Sequence, residues 1–282
     1  YKNRLMMLDI LNNNDWKRPI YFTGGSFQDE EYIWMKDYLQ LEGLVYKLVP
    51  IKTPENPENP YQLGRIDSEK MLKIIKKWDW GNSKSRNIYH DPETRKNSIS
   101  FRSNLVRLAD KLIQEEKFEK AEEVLDIAME NMPVEFFGFY SLLTPFVSAY
   151  QKIDRDEKAN SLATTLNTKY IQKLNFFKSF NLKSQQNYSE QIFTEIERYR
   201  NLVDSSCDYN DKNGFCHILI QDFIKNTSDF SLLYSAYEYF LPMTNYISIL
   251  YSINLNETGR LLFESISSVY INQIKLYENI PQ

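Results

Sequence analysis

Residue types that commonly carry chemistry are sparse in this chain. Its two histidines, His90 and His217, lie far apart and in no metal-binding pattern such as His-Glu-x-x-His, and two cysteines cannot complete a zinc site of known spacing. The sequence also contains neither a Gly-x-Ser-x-Gly nucleophile elbow nor a Walker glycine loop, which would indicate acyl transfer or nucleotide hydrolysis. We therefore predict no catalytic residue, no metal ligand and no cofactor in this chain.

One glycine-rich turn has the residues to bind an anion. Thr23-Gly-Gly-Ser26 lies between a predicted strand and a predicted helix, where exposed backbone amides can hold a phosphate. The same glycines are also needed simply to turn the chain. We favour this structural interpretation and keep phosphate or sugar-phosphate binding as the alternative.

The two cysteines flank a polar, turn-rich stretch. Cys207 and Cys216 lie on either side of Asp208-Tyr-Asn-Asp-Lys-Asn-Gly214. In an oxidising compartment a disulfide between them would close a short loop. The alternative is two unrelated thiols, with Cys216 buried beside Phe215 and Ile218. The stretch between the cysteines misses the register of a calcium loop, so we interpret it as a turn.

Composition and charge exclude several classes of protein. Hydrophobic residues make up 42% of the chain and charged residues 26%, which is typical of a globular protein. The net charge of −4 provides no concentrated basic surface for nucleic acid. No run of about 18 apolar residues occurs, so we predict no membrane span in this segment. We see no signal peptide, and because Tyr1 is not a natural start we expect a piece of a longer protein.

A small α/β head is predicted over residues 1–97. Residues 19–23 have the character of a buried strand, Asp29 to Leu41 of a helix, and residues 44–49 of a second strand. This order is a β-α-β unit, whose two strands we expect to lie parallel. Residues 79–97 are predicted to be irregular.

The rest of the chain is predicted to be helical. Residues 53–60 contain three prolines and should form a loop, after which Asp67 or Ser68 caps a helix that runs to Trp78. Over residues 98–282 the apolar period is helical, with breaks that divide the segment into roughly eight helices joined by short turns. We therefore predict a mostly α protein, an α-solenoid or helical bundle with a small N-terminal β-α-β unit, α+β overall.

The clearest motif lies at residues 102–133. A tetratricopeptide repeat has about 34 residues, with a series of large and small apolar residues on its first helix and an Ala, Phe, Ala, Pro series on its second. Small residues let the two helices cross closely, and proline ends the second helix. The matching residues are Leu105, Leu108, Ala109, Leu112, Phe118, Ala121, Leu125, Ala128 and Pro133. They predict a tetratricopeptide-like helix pair and identify the solenoid as tetratricopeptide-like.

A fainter copy follows the first one. A single repeat cannot bury its own apolar face, so the later helices are predicted to continue or cap the stack. Such stacks offer a concave face to peptides or partner domains, which predicts binding of a protein or peptide. The alternative is that the helices only pack and space the chain. The second copy consists of Phe139, Leu142, Leu143 and Phe146, then Ala159, Ala163 and Leu166 after an insertion near residues 152–156.

The order of segments resembles the C-terminal soluble tail of a bacterial family, the multi-spanning membrane proteins of protein O-mannosyltransferase type in Bacteroidetes. The resemblance covers residues 1–175, and residues 41–50, Leu-Glu-Gly-Leu-Val-Tyr-Lys-Leu-Val-Pro, are its most specific part. The segments that carry it are Arg18-Pro-Ile-Tyr-Phe22, Tyr38 to Lys52, Gly64-Arg-Ile-Asp67, Trp80-Gly-Asn82 and the repeat from Asn104.

The resemblance implies a parent similar to a GT-C glycosyltransferase with a lipid-linked sugar donor. The acidic residues that such an enzyme uses lie in a loop between membrane helices, outside this chain. The resemblance also implies a membrane-anchored protein with this tail on the periplasmic side of the inner membrane, which favours a Cys207–Cys216 disulfide. We therefore expect a non-catalytic extracytoplasmic accessory domain that binds acceptor protein or orders the membrane domain of its own full-length chain.

Two other functions stay open at this point. One is a free-standing tetratricopeptide adaptor that binds short peptides. The other is a small enzyme that binds sugar nucleotides through the β-α-β unit.

Overall fold

The chain folds into two compact units, Tyr1–Leu142 (unit 1) and Leu143–Gln282 (unit 2). It is mostly helical with a small N-terminal sheet, which confirms the predicted fold class. The sequence boundary between residues 97 and 98 stays a prediction, and a helix over Pro92–Gln114 runs through it. The computed structural model describes residues 2–23, 33–54, 63–207 and 214–233.

Unit 1 begins with a helix and a four-stranded sheet of order β1-β3-β2-β4. A 3-10 helix over Ile33–Tyr38 precedes β2. The other elements of this part are α1 (Lys2–Asn14), β1 (Tyr21–Thr23), β2 (Leu39–Glu42), β3 (Val45–Leu48) and β4 (Arg65–Ile66).

The arrangement of the strands corrects the β-α-β prediction. β1 pairs antiparallel with β3, so the expectation of parallel strands was wrong. The predicted helix over residues 29–41 is also wrong where it is described, because Ile33–Tyr38 is 3-10 and Leu39 begins β2. β2 and β3 form an antiparallel hairpin joined by only two residues, which cannot make a parallel crossover.

Gly43 makes this tight hairpin sterically feasible. Its φ is +69°, in the left-handed region that favours glycine, and an added Cβ would lie 3.0 Å from Cζ2 of Trp78. All four residues of β2 are buried, with Leu39 and Leu41 fully so. The sequence of β2, Leu-Gln-Leu-Glu, alternates apolar and polar residues, and the polar Gln40 and Glu42 are nevertheless buried, where Gln40 donates a hydrogen bond to Glu42 at 2.9 Å.

The helices of unit 1 follow the sheet. Asp67 caps α2 by accepting a hydrogen bond from the Lys70 N–H, as predicted, although α2 ends at Ile75 rather than at Trp78. Asp91 caps α3 and Pro92 occupies its first turn, so α3 begins within the stretch predicted to be irregular. The helices are α2 (Ser68–Ile75), α3 (Pro92–Gln114), α4 (Phe118–Asn131) and α5 (Val134–Phe137), followed by a 3-10 turn at Tyr140–Leu142.

The described part of unit 2 is helical. Tyr170 on α7 stacks on Tyr199 on α9, with ring centroids 5.1 Å apart and planes 6° from parallel. Tyr199 donates a hydrogen bond to Asn167, whose amide donates to Asp222 on α10 at 2.7 Å, so polar and aromatic contacts join the three helices. The helices are α6 (Thr144–Lys152), α7 (Asp156–Lys178), α8 (Leu182–Asn187), α9 (Ser189–Ser206) and α10 (Phe215–Thr227), with a 3-10 segment at Ser228–Leu233.

Candidate functional site

The residues of the predicted repeat lie in one helical hairpin of unit 1. α3 and α4 pack against each other and are joined by the three residues Glu115–Lys117. Two predicted residues differ from the rest: Phe118 is 39% exposed at the start of α4, and Pro133 caps α5. The fully buried residues are Leu105, Leu108, Ala109, Leu112, Ala121, Leu125 and Ala128. They form the core of the hairpin rather than a ligand surface.

The hairpin turn recurs in unit 2. Glu116 has φ +56°, and the Lys117 N–H donates to the Leu112 carbonyl at 2.9 Å. Asp154, which lies 38 residues later, also has φ +56°, and the Arg155 N–H donates to the Tyr150 carbonyl at 2.9 Å. α6 and α7 therefore form a second hairpin with the same turn.

This equivalence corrects the predicted insertion. The turn over residues 153–155 has the same length as that over residues 115–117, so the insertion expected near residues 152–156 is absent. Phe139 and Leu142, each 37% exposed, precede α6 and take no part in its buried face. The buried residues at the equivalent positions are Leu143, Phe146, Val147, Tyr150, Ala159, Ala163 and Leu166. Whether these hairpins are tetratricopeptide repeats stays a prediction.

Unit 1 also contains a surface pocket of about 440 Å³ that the repeat analysis did not predict. Trp78 and Trp80 from the loop after α2, together with Phe101 on α3, form one wall. The ring centroids of these three residues lie 5.2 to 5.6 Å apart, in edge-to-face or tilted contact. All three rings are half-buried, so the cluster packs on unit 1 and still presents aromatic surface to the pocket.

Local turns after α2 position the two tryptophans. The Trp78 N–H donates to the Ile75 carbonyl, and the Ser83 N–H donates to the Trp80 carbonyl, each at 3.0 Å. Between them, Oδ1 of Asp79 accepts a hydrogen bond from the Gly81 N–H at 2.9 Å. These bonds hold the indole rings on the same side of the loop as Phe101.

A second wall comes from His90 and the end of α4. The His90 ring lies 4.5 Å from that of Phe137, and His90 Nε2 lies 2.9 Å from the Ser83 carbonyl oxygen. Because a carbonyl oxygen only accepts, Nε2 carries a proton. Ser83 Oγ in turn donates to the Asn131 carbonyl at 2.6 Å, which joins the loop to the end of α4.

Arg102 supports this wall from the interior. Its Nη2 donates to the Met132 carbonyl at 2.7 Å and its Nη1 to the Gly138 carbonyl at 2.6 Å. Burial lowers the pKa of Arg102 to about 10, against an opposing effect of Glu135, so the guanidinium stays charged at neutral pH. Arg102 thereby holds the chain on both sides of Phe137, a pocket residue.

The polar rim of the pocket contains both donors and acceptors. Asp79 is exposed, and its second carboxylate oxygen is not used in the turn. The Asn97 amide and the indole N–H groups of Trp78 and Trp80 make no hydrogen bond within the part of the chain that the structure describes. Thr94 Oγ1 donates to Asp91 at 2.5 Å, and this bond, the largest cause, lowers the pKa of Asp91. The described lining includes no lysine or arginine.

A buried carboxylate joins the sheet to α2. Glu42 is 6% exposed and accepts hydrogen bonds from Tyr21 at 3.1 Å, from Gln40 at 2.9 Å and from Lys70 at 2.5 Å. The Glu42 hydrogen bond raises the pKa of Lys70, and burial followed by the Glu42 charge raises that of Tyr21. With three partners, Glu42 is a structural ion-pair residue rather than a free acid or base.

Residues 1–70 match the family described as TMEM260-associated domain 2. The match spans α1, the four strands and the first turn of α2. It indicates a domain associated with a membrane protein. Searches of curated proteins and of solved structures each return no match. Apart from Leu44, the residues that line the pocket lie outside the matched residues 1–70.

None of the described helices is long and apolar enough to span a bilayer. No group of three or more His, Cys, Asp and Glu side chains that could hold a metal ion occurs among the same residues.

The predicted cysteine pair is brought together in unit 2. Cys207, at the end of α9, and Cys216, in the first turn of α10, form a disulfide with Cα atoms 5.0 Å apart. Most of the predicted turn between them, residues 208–213, lies outside the described residues. So do Gly24, Gly25 and Ser26 of the glycine-rich turn, for which anion binding was the alternative to a purely structural role.

Proposed function

We propose that this chain is a non-catalytic extracytoplasmic accessory domain of a membrane protein resembling a glycosyltransferase of protein O-mannosyltransferase type. The match of residues 1–70 to TMEM260-associated domain 2 carries the proposal. The specific segment at residues 41–50 lies within the match and forms the β2–β3 hairpin at the centre of the sheet. In this proposal the chain lies on the periplasmic side and binds acceptor protein or orders the membrane domain.

Two features of the described residues support an accessory role. Seven of the nine predicted signature residues are buried in the hairpin core, and the buried carboxylate of Glu42 has three hydrogen-bond partners. The pocket of unit 1 described above has an aromatic wall and a polar rim, which suits binding rather than group transfer.

Cysteine labelling of the full-length protein in its own host tests the location. Tyr89, which is 82% exposed, is replaced by cysteine, and cells with an intact inner membrane are treated with a membrane-impermeant maleimide. We expect Tyr89→Cys to react and the matched control Ala128→Cys, whose position is fully buried, to stay unlabelled. Labelling of Tyr89→Cys only after the inner membrane is broken would overturn the proposal.

A photo-crosslinker at the same exposed position separates the two accessory roles. Crosslinks to a separate secreted protein support acceptor binding, whereas crosslinks within the same polypeptide support ordering of the membrane domain.

The two similar hairpins favour one alternative, a free-standing tetratricopeptide adaptor. That function predicts an open reading frame without membrane spans upstream of Tyr1. Membrane-spanning segments encoded there would exclude it.

A further inference from the structure

We propose that the aromatic pocket of unit 1 binds one neutral sugar ring. This inference goes beyond the accessory role and rests on the pocket alone, so it holds whichever protein the chain belongs to. The pocket volume of about 440 Å³ lies at the lower end of the range for small-molecule sites. It is large enough to hold one sugar ring.

The aromatic wall supplies the surface that a sugar ring stacks on. One face of a pyranose presents several C–H groups, which are weakly positive and match the negative face of an aromatic ring. Trp78, Trp80 and Phe101 are already packed against one another, so binding orders few side chains. The same packing argues against a cage for an ammonium ion, because the three rings contact each other and leave no gap between them.

The rim supplies partners for hydroxyl groups. A sugar hydroxyl both donates and accepts, and therefore needs donors and acceptors within reach of one ring. The residues that line the pocket include Asp79 with its carboxylate, Asn97 with its amide, and two tryptophans with indole N–H groups. A purely apolar peptide side chain would cover these groups without satisfying them, which costs free energy.

The charge of the lining selects a neutral ligand. Asp79 is the one carboxylate in the described lining, and the absence there of any lysine or arginine leaves an anion without a counter-charge. Phosphates, sugar phosphates and nucleotide sugars are therefore disfavoured at this pocket. The proposed ligand is a neutral glycoside, either free or attached to a polypeptide.

Titration of the complete 282-residue chain with methyl pyranosides tests the proposal. Tryptophan fluorescence and ligand-observed saturation-transfer NMR should report saturable binding with a Kd on the order of 1 mM, which is typical of a single small ring. Absence of saturation at ten times that concentration would overturn the proposal. Tighter binding of a sugar phosphate, or binding of tetramethylammonium without binding of any glycoside, would overturn it as well.

Variants locate the site on the molecule. We expect Trp78→Ala and Trp80→Ala to weaken binding by at least about tenfold, and Asn97→Ala by a smaller factor. The matched control is Trp16→Ala, since Trp16 is 53% exposed and does not line the pocket. Equal affinity in all four variants would overturn the assignment. If a tryptophan variant fails to fold, as judged by circular dichroism, Asn97→Ala and chemical-shift mapping on the native chain decide the location.

A glycopeptide comparison identifies the source of the ring. A short peptide with one O-linked sugar on serine and the same peptide without the sugar are titrated beside the methyl glycoside. Stronger binding of the glycopeptide than of the free glycoside supports recognition of a glycosylated protein, and equal binding supports recognition of the ring alone. Equal binding of both peptides would overturn the proposal. None of these results depends on where the chain lies in the cell. The sugar-binding proposal and the proposed accessory role can therefore be contradicted independently of each other.

Discussion

Arg102 shows how one buried side chain organises a non-local part of unit 1. It is fully buried, and its two Nη atoms bind carbonyl groups at Met132 and Gly138, which belong to the exit from α4 and to the end of α5. The carbonyls of helix ends lack partners within the helix and must find them elsewhere when buried. A long, forked cation can reach two of them at once, which an apolar side chain cannot do.

Replacing Arg102 tests this role. Arg102→Met leaves the two carbonyl groups without their donors, and we expect the free energy of unfolding to fall by about 1–3 kcal/mol. Urea unfolding followed by circular dichroism measures the change. Arg102→Lys is the control. Lysine keeps the charge but has a single terminal nitrogen, so the free energy of unfolding of this variant should lie between those of the native chain and of Arg102→Met. A methionine variant as stable as the native chain would contradict the assignment.

The disulfide of unit 2 is a second residue-scale feature. It closes a loop of sequence separation 9, for which chain entropy predicts stabilisation of about 2–3 kcal/mol. Reduction with dithiothreitol should lower the unfolding midpoint of the native chain by a corresponding amount. The double variant Cys207→Ser/Cys216→Ser should have the lower midpoint already and should not respond to the reductant. If dithiothreitol leaves the unfolding midpoint of the native chain unchanged, the disulfide does not stabilise the fold.

At the scale of elements, the α3–α4 hairpin depends on small residues at its helix contact. Ala109, Ala121 and Ala128 are fully buried, so the helices approach closely at these points. Protein interiors are close-packed, and added methylene groups there force side chains and backbone apart. The contact therefore limits which residues the hairpin tolerates.

Overpacking tests that limit. Ala121→Leu should destabilise unit 1 by about 1–3 kcal/mol, measured by chemical denaturation. The matched control, Ser103→Leu, adds a similar bulk on the exposed face of α3 and should change stability little. Equal effects of the two substitutions would mean that Ala121 is not at a tight helix contact.

Ion pairs connect α2 to the same hairpin. Glu69 accepts hydrogen bonds from Lys117 at 2.8 Å and from Lys120 at 2.6 Å, and these bonds are the main cause that lowers the pKa of Glu69 to about 2. A carboxylate with a lowered folded-state pKa stabilises the fold at pH values above its ordinary pKa. That stabilisation is lost as the pH falls from about 4.5 towards 2.

Acid unfolding of Glu69→Gln measures this contribution. The variant should lose part of the stability change that the native chain shows between pH 4.5 and pH 2. The effect should be modest and weaken with salt, because the Glu69 side chain is 46% exposed. Glu130→Gln is the control, since the nearest lysine nitrogen lies 3.8 Å from its carboxylate and both side chains are mostly exposed. Parallel acid profiles for native chain and Glu69→Gln would contradict the prediction.

At the scale of the whole molecule, one compact unit ends at Leu142, whereas the boundary predicted from the sequence lies within α3. The sheet needs α3: Asn104 donates to the Gly43 carbonyl at 2.9 Å, and Arg107 donates to the Leu63 carbonyl at 2.6 Å. A small sheet does not stand alone in water. We therefore predict that the head and the first hairpin fold as one cooperative unit.

Fragments test this division. Residues 1–142 expressed alone should fold and unfold cooperatively, as measured by circular dichroism and thermal melting. The control fragment 1–97 ends inside α3 and lacks α4, so it should not fold. A folded 1–97 fragment would instead support the boundary predicted from the sequence.

The sequence by itself determined the features that depend on local spacing. The helical apolar period and the buried positions of the first hairpin, among them Leu108 and Ala121, were predictable because helix faces repeat at a fixed interval. The Asp67 cap was predictable because capping involves residues only three apart. The mostly helical fold class follows from such local signals.

The tertiary structure alone decided the pairing of the strands and the existence of the pocket. The alternating sequence of β2, Leu-Gln-Leu-Glu, is only four residues long and directly follows a 3-10 helix, so it does not by itself specify a partner strand, and the pairing with β3 depended on the turn at Gly43. The pocket joins Trp78, His90, Phe101 and Phe137, which come from separate elements. No local sequence pattern predicts such contacts, because they arise only when packing brings distant segments of the chain together.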